Sequence, residues 1–368
     1  MDVSFVRASV FAEHTPRPAS RAPCVVLMKR RAVIDLTSPR PLWRVPPQTV
    51  VAVREALGPE WDVVQVRSTA VSDGDGARGS DEAVRAAEGA ELYFGWGVPI
   101  GVARAAVGTL RWAHSAAAGV RGSLSPEFRA TGAALTSSRG MYAEPMADWV
   151  LAAIAFFARG FWHAVEAQRE HRWSKDAFTD GTVRARELAD LRVGIVGLGG
   201  VGRAVARRCH ALGMEVRATR RRPGRPPKGV RWVGGPDDQL RLARESDVLV
   251  LAAPHTPDTE KLVNDRLLED LPEGALLVNV ARGVLIDEDA VLRHLDRRLG
   301  GCALDAFAEE PLPETHPFWE HPRVLVTPHV SGVSARYWER EQALIVENVR
   351  RYLAGKRLQN LVNPRVGY

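Results

Sequence analysis

From Pro23 onward the chain alternates short apolar runs with stretches whose apolar residues recur at helical spacing. Cys24-Val25-Val26-Leu27-Met28, Trp61 to Val66, Glu91-Leu92-Tyr93-Phe94, Leu110-Arg111-Trp112-Ala113 and Ala133-Ala134-Leu135-Thr136 read as strands, and Thr49 to Leu57 as an intervening helix. Strands alternating with helices predict a parallel sheet, because each parallel connection must cross the face of the sheet. A longer stretch, Ala147 to Arg159, is apolar around most of its circumference and predicts a helix buried between domains or subunits. Its neighbours Trp162 and Trp173 read as packing residues. A second alternating series runs from Arg192 to about Pro328, and a helix over Tyr337 to Leu353 closes the chain. The pattern predicts an α/β protein with two doubly wound, parallel-sheet domains.

Length agrees with two domains, since 368 residues exceed what one core usually serves. With 45% hydrophobic and 26% charged residues, each domain can bury an ordinary core. Residues 1–22 hold scattered Arg, Pro and acidic residues without a long apolar run, and read as a flexible extension rather than a signal peptide or membrane span. Cys24, Cys209 and Cys302 lie far apart, without metal-ligand or redox spacing, and read as reduced thiols of a cytoplasmic protein. The net charge of +6 is carried overwhelmingly by arginine and reads as a solvated surface, with no nucleic-acid or membrane partner. One basic cluster, Arg217 to Arg231, stands apart.

The strongest local signal is the run from Val193 to Ala206, an apolar strand, a glycine turn and a helix start. Gly197 permits the tight turn, Gly199 lets backbone approach a pyrophosphate, and Gly202 allows strand and helix to pack closely, while the helix start at Gly200 and Val201 attracts phosphate charge. This is a Rossmann-like dinucleotide site. Such a site for NAD carries an acid about 20 residues further on, at the end of the second strand. Here that strand ends in Thr219-Arg220-Arg221-Arg222, and no acid follows until after Gly235. Cations and a hydroxyl at this corner suit a 2′-phosphate, with Arg220 pairing with it, Arg221 beside it and Thr219 donating a hydrogen bond. NADP(H) is therefore preferred, with NAD(H) possible. The Arg222 to Lys228 stretch also has the composition of a minor-groove hook, but its place at the cofactor corner favours a surface loop there.

Three further strand ends carry reactive residues: Ala281-Arg282-Gly283, Asp305 through Glu310-Pro311, and Thr327-Pro328-His329. Residues beyond the carboxyl ends of parallel strands line one crevice, so Arg282, Glu310 and His329 can meet despite their separation. Singly they read as a surface arginine, a loop acid and a satisfied histidine. His255, His316 and His321 have no metal-ligand partner pattern and read as ordinary loop residues, and no metal is expected.

In this order, Ala118-Gly119-Val120, the Ala147-Asp148 helix start, Gly197 to Gly202, Asn279 to Asp287, Gly301 to Pro311, Thr327-Pro328-His329 and Leu361 to Pro364 make the chain resemble the D-2-hydroxyacid dehydrogenase family. The resemblance covers nearly everything after Pro23 and is of the glyoxylate/hydroxypyruvate reductase-like kind. It implies hydride transfer between nicotinamide and a small D-2-hydroxy acid or 2-keto acid. Arg282 would bind the carboxylate and carbonyl, His329 would act as acid/base, and Glu310 would be its partner. Backbone groups at Ala118 and Gly119 would hold the carboxylate. Pro254, Ala281 and Asp305 would border the cofactor. A discontinuous substrate domain, residues 23–140 and 332–368, would flank an inserted dinucleotide-binding domain, 141–331, and a homodimer would form through the latter. Arg121 stands where many family members have Asp. Transcriptional corepressors resemble the same enzymes, so a nucleotide-sensing binding protein is the alternative. The absence of long disordered arms weighs against it.

Overall fold

A computed structural model describes residues 1, 29–68 and 79–364. The Cys24 to Met28 run and, apart from Met1, the 1–22 segment lie outside these residues. Among the described residues, the strands form two sheets, and every ladder within them is parallel. The first holds β1 (Arg30–Asp35), β2 (Trp61–Gln65), β3 (Ala90–Gly95), β4 (Trp112–Ser115) and β5 (Ala134–Ser137), in the order β2-β1-β3-β4-β5. The second holds β6 (Arg192–Val196), β7 (Glu215–Thr219), β8 (Val230–Gly234), β9 (Val248–Leu251), β10 (Leu276–Asn279), β11 (Gly301–Leu304) and β12 (Val324–Val326), in the order β12-β11-β10-β9-β6-β7-β8. In each sheet the order reverses once beside the first strand of the series, the doubly wound arrangement whose crevice receives ligands.

The second sheet shows why its strands read as unbroken apolar runs. Val193, Ile195, Val248, Val250 and Val278 face one core, while Val196, Leu249, Leu251 and Leu277 face another. Helices cover both faces, so successive side chains are buried on opposite sides. In the first sheet the apolar pattern placed a strand at Leu110 to Ala113, whereas β4 runs to Ser115. His114 and Ser115 are fully buried, and hydrogen bonds satisfy them there, so their polarity does not end the strand.

The long apolar helix spans Ala143–Ala158, four residues earlier than its apolar stretch indicated. Pro145 lies in its first turn, where a backbone N–H has no helical partner to lose. Its buried residues, including Ala147, Val150, Ile154 and Phe157, join the core of the second sheet beside the helix Gly200–Ala211. Within the chain the helix is thus a covering layer of one sheet rather than a wedge between the two. Trp162 packs against the same core. Trp173 is 93% exposed within the single chain. Among the described residues, no single helix is long and apolar enough to cross a membrane.

The chain leaves the first sheet after β5 and returns after β12. The closing helix, Tyr337–Leu353, then buries Tyr337, Trp338, Ile345 and Val349 in the core of the first sheet. Beyond it, Val362 N–H donates to the Leu135 carbonyl (2.8 Å). Sequence-distant ends of the chain therefore build one lobe around β1 to β5, and the intervening residues build the other.

Candidate active site

The glycine turn after β6 brings backbones closer than side chains allow. Gly197 has φ +98°, and a Cβ there would lie 2.6 Å from the Ala253 nitrogen. A Cβ on Gly202 would lie 2.1 Å from the Gly197 carbonyl oxygen. Gly199 faces open space, with nothing within 4 Å of where its Cβ would stand. Gly200 and Val201 open the helix, so its unpaired N–H groups border that space. Exposed Pro254 lies in the loop after β9, where its carbonyl accepts from Thr259 (2.9 Å).

At the end of β7, Thr219 is fully buried and its hydroxyl donates to Gln239 (3.2 Å). Arg220 is half-buried, its guanidinium lies beside Gly224, and its Nε is buried without a partner. No ion pair to Arg220 forms among the described residues. Glu215, the acid on this strand, is taken up by Arg217 and Arg231. Arg221 and the residues after it to Lys228 are exposed. The end of β7 itself therefore offers a guanidinium rather than a carboxylate, while the nearby Asp238 carboxylate accepts from the Gly235 N–H (2.8 Å).

The ends of β10, β11 and β12 converge. Buried Asn279 accepts from the Ala281 N–H (3.0 Å) and donates to the Arg282 carbonyl (3.0 Å), which shapes the turn carrying Arg282. Gly283 packs so tightly on Phe307 that a Cβ would lie 1.8 Å from that residue's carbonyl carbon, locking this turn to the one after β11. Arg282 is exposed, and one guanidinium nitrogen donates to the Ala281 carbonyl (2.6 Å). The other, Nη2, would lie 3.2 Å from a Cβ on Gly119, so it reaches the loop after β4 in the opposite lobe. Among the described residues Arg282 has no carboxylate in ion-pair contact, and the N–H groups of Ala118 and Gly119 have no acceptor.

His329 Nδ1 lies 2.8 Å from Glu310 Oε2, and Glu310 Oε1 accepts from the Phe307 N–H (3.0 Å). Partial burial would push the Glu310 carboxyl up, but the His329 and Phe307 hydrogen bonds, with the nearby charges of His329 and Arg282, hold it below the usual glutamate value. It is therefore an anion at neutral pH. His329 sits in the left-handed region at φ +53°, which costs a non-glycine residue energy unless its surroundings enforce it. Asp305 supplies that constraint. Its buried carboxylate accepts from Thr327 Oγ1 (2.5 Å), Val330 N–H (2.8 Å) and Ser331 N–H (2.8 Å), bracketing His329 on both sides.

Several residues of this neighbourhood went unread in the sequence. Asn279 drew attention only as a motif member, and Tyr142, Tyr337, His114 and Glu341 drew none. The spacing of Tyr337, Glu341 and Asn348 on one face of the closing helix was the available signal, since all three are buried. Arg121 donates to the His255 carbonyl across the gap between lobes (3.4 Å). Among the described residues no cluster of three or more His, Cys, Asp or Glu could hold a metal ion.

Two parallel sheets, one with a glycine turn at its switch point, place this protein among two-lobed α/β nucleotide-binding proteins. The sequence profile of the D-isomer specific 2-hydroxyacid dehydrogenase NAD-binding domain matches residues 151–331. Glyoxylate/hydroxypyruvate reductase A of Serratia proteamaculans is 30% identical over 227 residues, 61% of this chain and 69% of that protein. Its namesake from Photorhabdus laumondii is 33% identical over 225 residues, 61% and 68% of the two chains. A crystal structure of a D-isomer specific 2-hydroxyacid dehydrogenase from Xanthobacter autotrophicus, in complex with NADPH and MES, superposes with a TM-score of 0.71 at 30% identity. It covers 92% of this chain and 99% of that one. The chain belongs to the D-isomer specific 2-hydroxyacid dehydrogenase family.

Proposed function

We propose that this protein reduces small 2-keto acids, and oxidises the corresponding D-2-hydroxy acids, with NADP(H) preferred over NAD(H). The observation that carries this reading is the meeting of Arg282, the unpaired Ala118 and Gly119 amides and the Glu310–His329 pair between the two lobes. The substrate carboxylate takes the loop amides and one side of the Arg282 fork, and the carbonyl oxygen takes the other. Arg282 thereby draws electron density from the carbonyl carbon. Glu310 occupies His329 Nδ1, so Nε2 is the nitrogen that exchanges a proton with the substrate oxygen. A bound nicotinamide supplies or receives the hydride. In reduction the carbonyl carbon gains that hydride and its oxygen gains the His329 proton, leaving a neutral imidazole; oxidation reverses both transfers. Glyoxylate and hydroxypyruvate fit this arrangement because each places a carbonyl beside a carboxylate, and relatives named as their reductases support the choice.

The test is oxidation of NADPH by the purified protein in a panel of 2-keto acids led by glyoxylate and hydroxypyruvate. Turnover of at least one is expected. NADPH binding with no turnover across the panel would overturn the reading and leave a nucleotide-sensing protein.

For the cofactor, the Arg220 guanidinium, unpaired among the described residues, and the lack of an acid at the end of β7 support a 2′-phosphate. The open space before Gly199 is the place for the pyrophosphate. Because Gln239 engages Thr219, the preference rests on Arg220, with Arg221 beside it. Arg220→Asp is expected to move the NADP/NAD ratio of kcat/KM toward NAD by ~10²-fold, since a charged hydrogen bond is exchanged for repulsion. Steady-state kinetics with both cofactors would show this, and an unchanged ratio would assign the corner no role.

A further inference from the structure

The two segments joining the lobes each end on a tyrosine. Tyr142 stands directly before the helix Ala143–Ala158, and Tyr337 opens the closing helix. Both phenols donate to one acceptor, the Ala116 carbonyl, at 2.9 and 2.7 Å. Their rings stack with centroids 5.3 Å apart. A Cβ on Gly332, in the returning segment, would stand 2.9 Å from Tyr142 Cδ1, so the two segments touch behind the loop that Ala116 begins.

That loop is held from inside at each step. Ala116 N–H donates to the Gly95 carbonyl (2.8 Å), and Ser138 N–H points at the carbonyls of Ser115 (3.0 Å) and Ala117 (3.2 Å). The next two N–H groups, those of Ala118 and Gly119, are the ones with no acceptor among the described residues.

Beneath the loop lies a polar cluster that the proposed reaction does not use. His114 and Glu341 are both fully buried, with Nε2 and Oε1 2.7 Å apart. His114 Nδ1 meets Thr136 (2.8 Å), the Ser138 hydroxyl lies 2.8 Å from Glu341 Oε1, and Glu341 Oε2 is buried without a partner among the described residues. A buried acid with an unpaired oxygen is weak as a source of stability. Its placement is informative: Glu341 is one turn after Tyr337 on the same helix face, and it ties that face to Ser138 and β4.

The geometry points to Tyr142 and Tyr337, seated by Glu341 and His114, as positioning residues that set the Ala116 to Gly119 loop against Arg282. The joining segments thereby control the carboxylate-binding end of the cleft. This rests on the carboxylate role proposed above for the loop amides.

The experiment is the double variant Tyr142→Phe/Tyr337→Phe, which keeps the stacked rings and removes both hydroxyl donors. KM for glyoxylate is expected to rise ~10- to 30-fold with kcat changed less than ~3-fold, as two hydrogen bonds that set substrate binding are lost. NADPH affinity stays unchanged. Hydrogen–deuterium exchange of a peptide spanning residues 113–120 is expected to quicken ~10-fold, as the Ala116 amide loses protection. An unchanged KM in a folded, NADPH-binding variant overturns the inference, and so does a fall in kcat at constant KM. Tyr142→Phe alone, at a half-buried position, is expected to raise KM ~3- to 10-fold and serves if the double variant does not fold. Should the unaltered protein turn over no keto acid, the reaction reading fails by itself. Loop exchange then decides: quicker exchange in the variant sustains the positioning role, and unchanged exchange overturns it.

Discussion

His329→Ala is expected to lower kcat by ~10²- to 10⁴-fold, the range for loss of a positioned general acid–base, while NADPH affinity is retained. The imidazole is half-exposed and its Nδ1 partner is Glu310, so removing it opens no core cavity. The backbone that places it is held elsewhere: Asp305 grips Thr327, Val330 and Ser331, none of which changes. Alanine must still adopt the left-handed conformation that histidine adopts at this position, so the variant should fold with the same loop. Single-turnover reduction of glyoxylate beside NADPH titration separates the alternatives. A parallel loss of NADPH binding would make His329 a structural residue and leave the proton without a donor.

Arg282→Lys should cost nearly as much as deletion, with kcat/KM falling ~10²- to 10³-fold in either case. A planar two-pronged fork is exchanged for a point charge that cannot serve carboxylate and carbonyl together. Arg282 is exposed and, among the described residues, its side chain donates only to the Ala281 carbonyl beside it. Its removal should therefore leave the melting temperature within the small range of surface substitutions. Kinetics on glyoxylate for Arg282→Lys and Arg282→Ala would check this. A lysine variant as active as the unaltered protein would show that charge alone suffices and that the fork has no role.

These two residues also mark how far local pattern carries. Arg282 and His329 could be picked out because each follows an apolar strand, and because strand ends in a doubly wound sheet share one crevice. Asp305 stands out for the same reason. Resemblance implies a place beside the cofactor, and to this the structure adds both its oxygens holding the loop around His329. Trp173 reads as a packing residue and is exposed within the single chain, since apolarity reports a tendency to be covered without saying by what. The pairing of Tyr142 with Tyr337 is not legible in the sequence, because the two lie in separate joining segments and meet at a backbone carbonyl, which has no signature there.

By itself the sequence determined the features that depend on near neighbours. The strand and helix periods, the glycine turn after β6 and the missing acid at the end of β7 are short-range, because steric limits and amphipathic spacing act within a few residues. Only the tertiary structure decided which distant groups share a space. It brought Arg282 to Gly119 across the gap, made Thr219 a partner of Gln239 rather than a free donor, and gathered two tyrosines from separate joining segments onto Ala116. Those contacts follow from how two sheets and their crossings pack, a global outcome of burial and backbone hydrogen bonding that no single segment encodes.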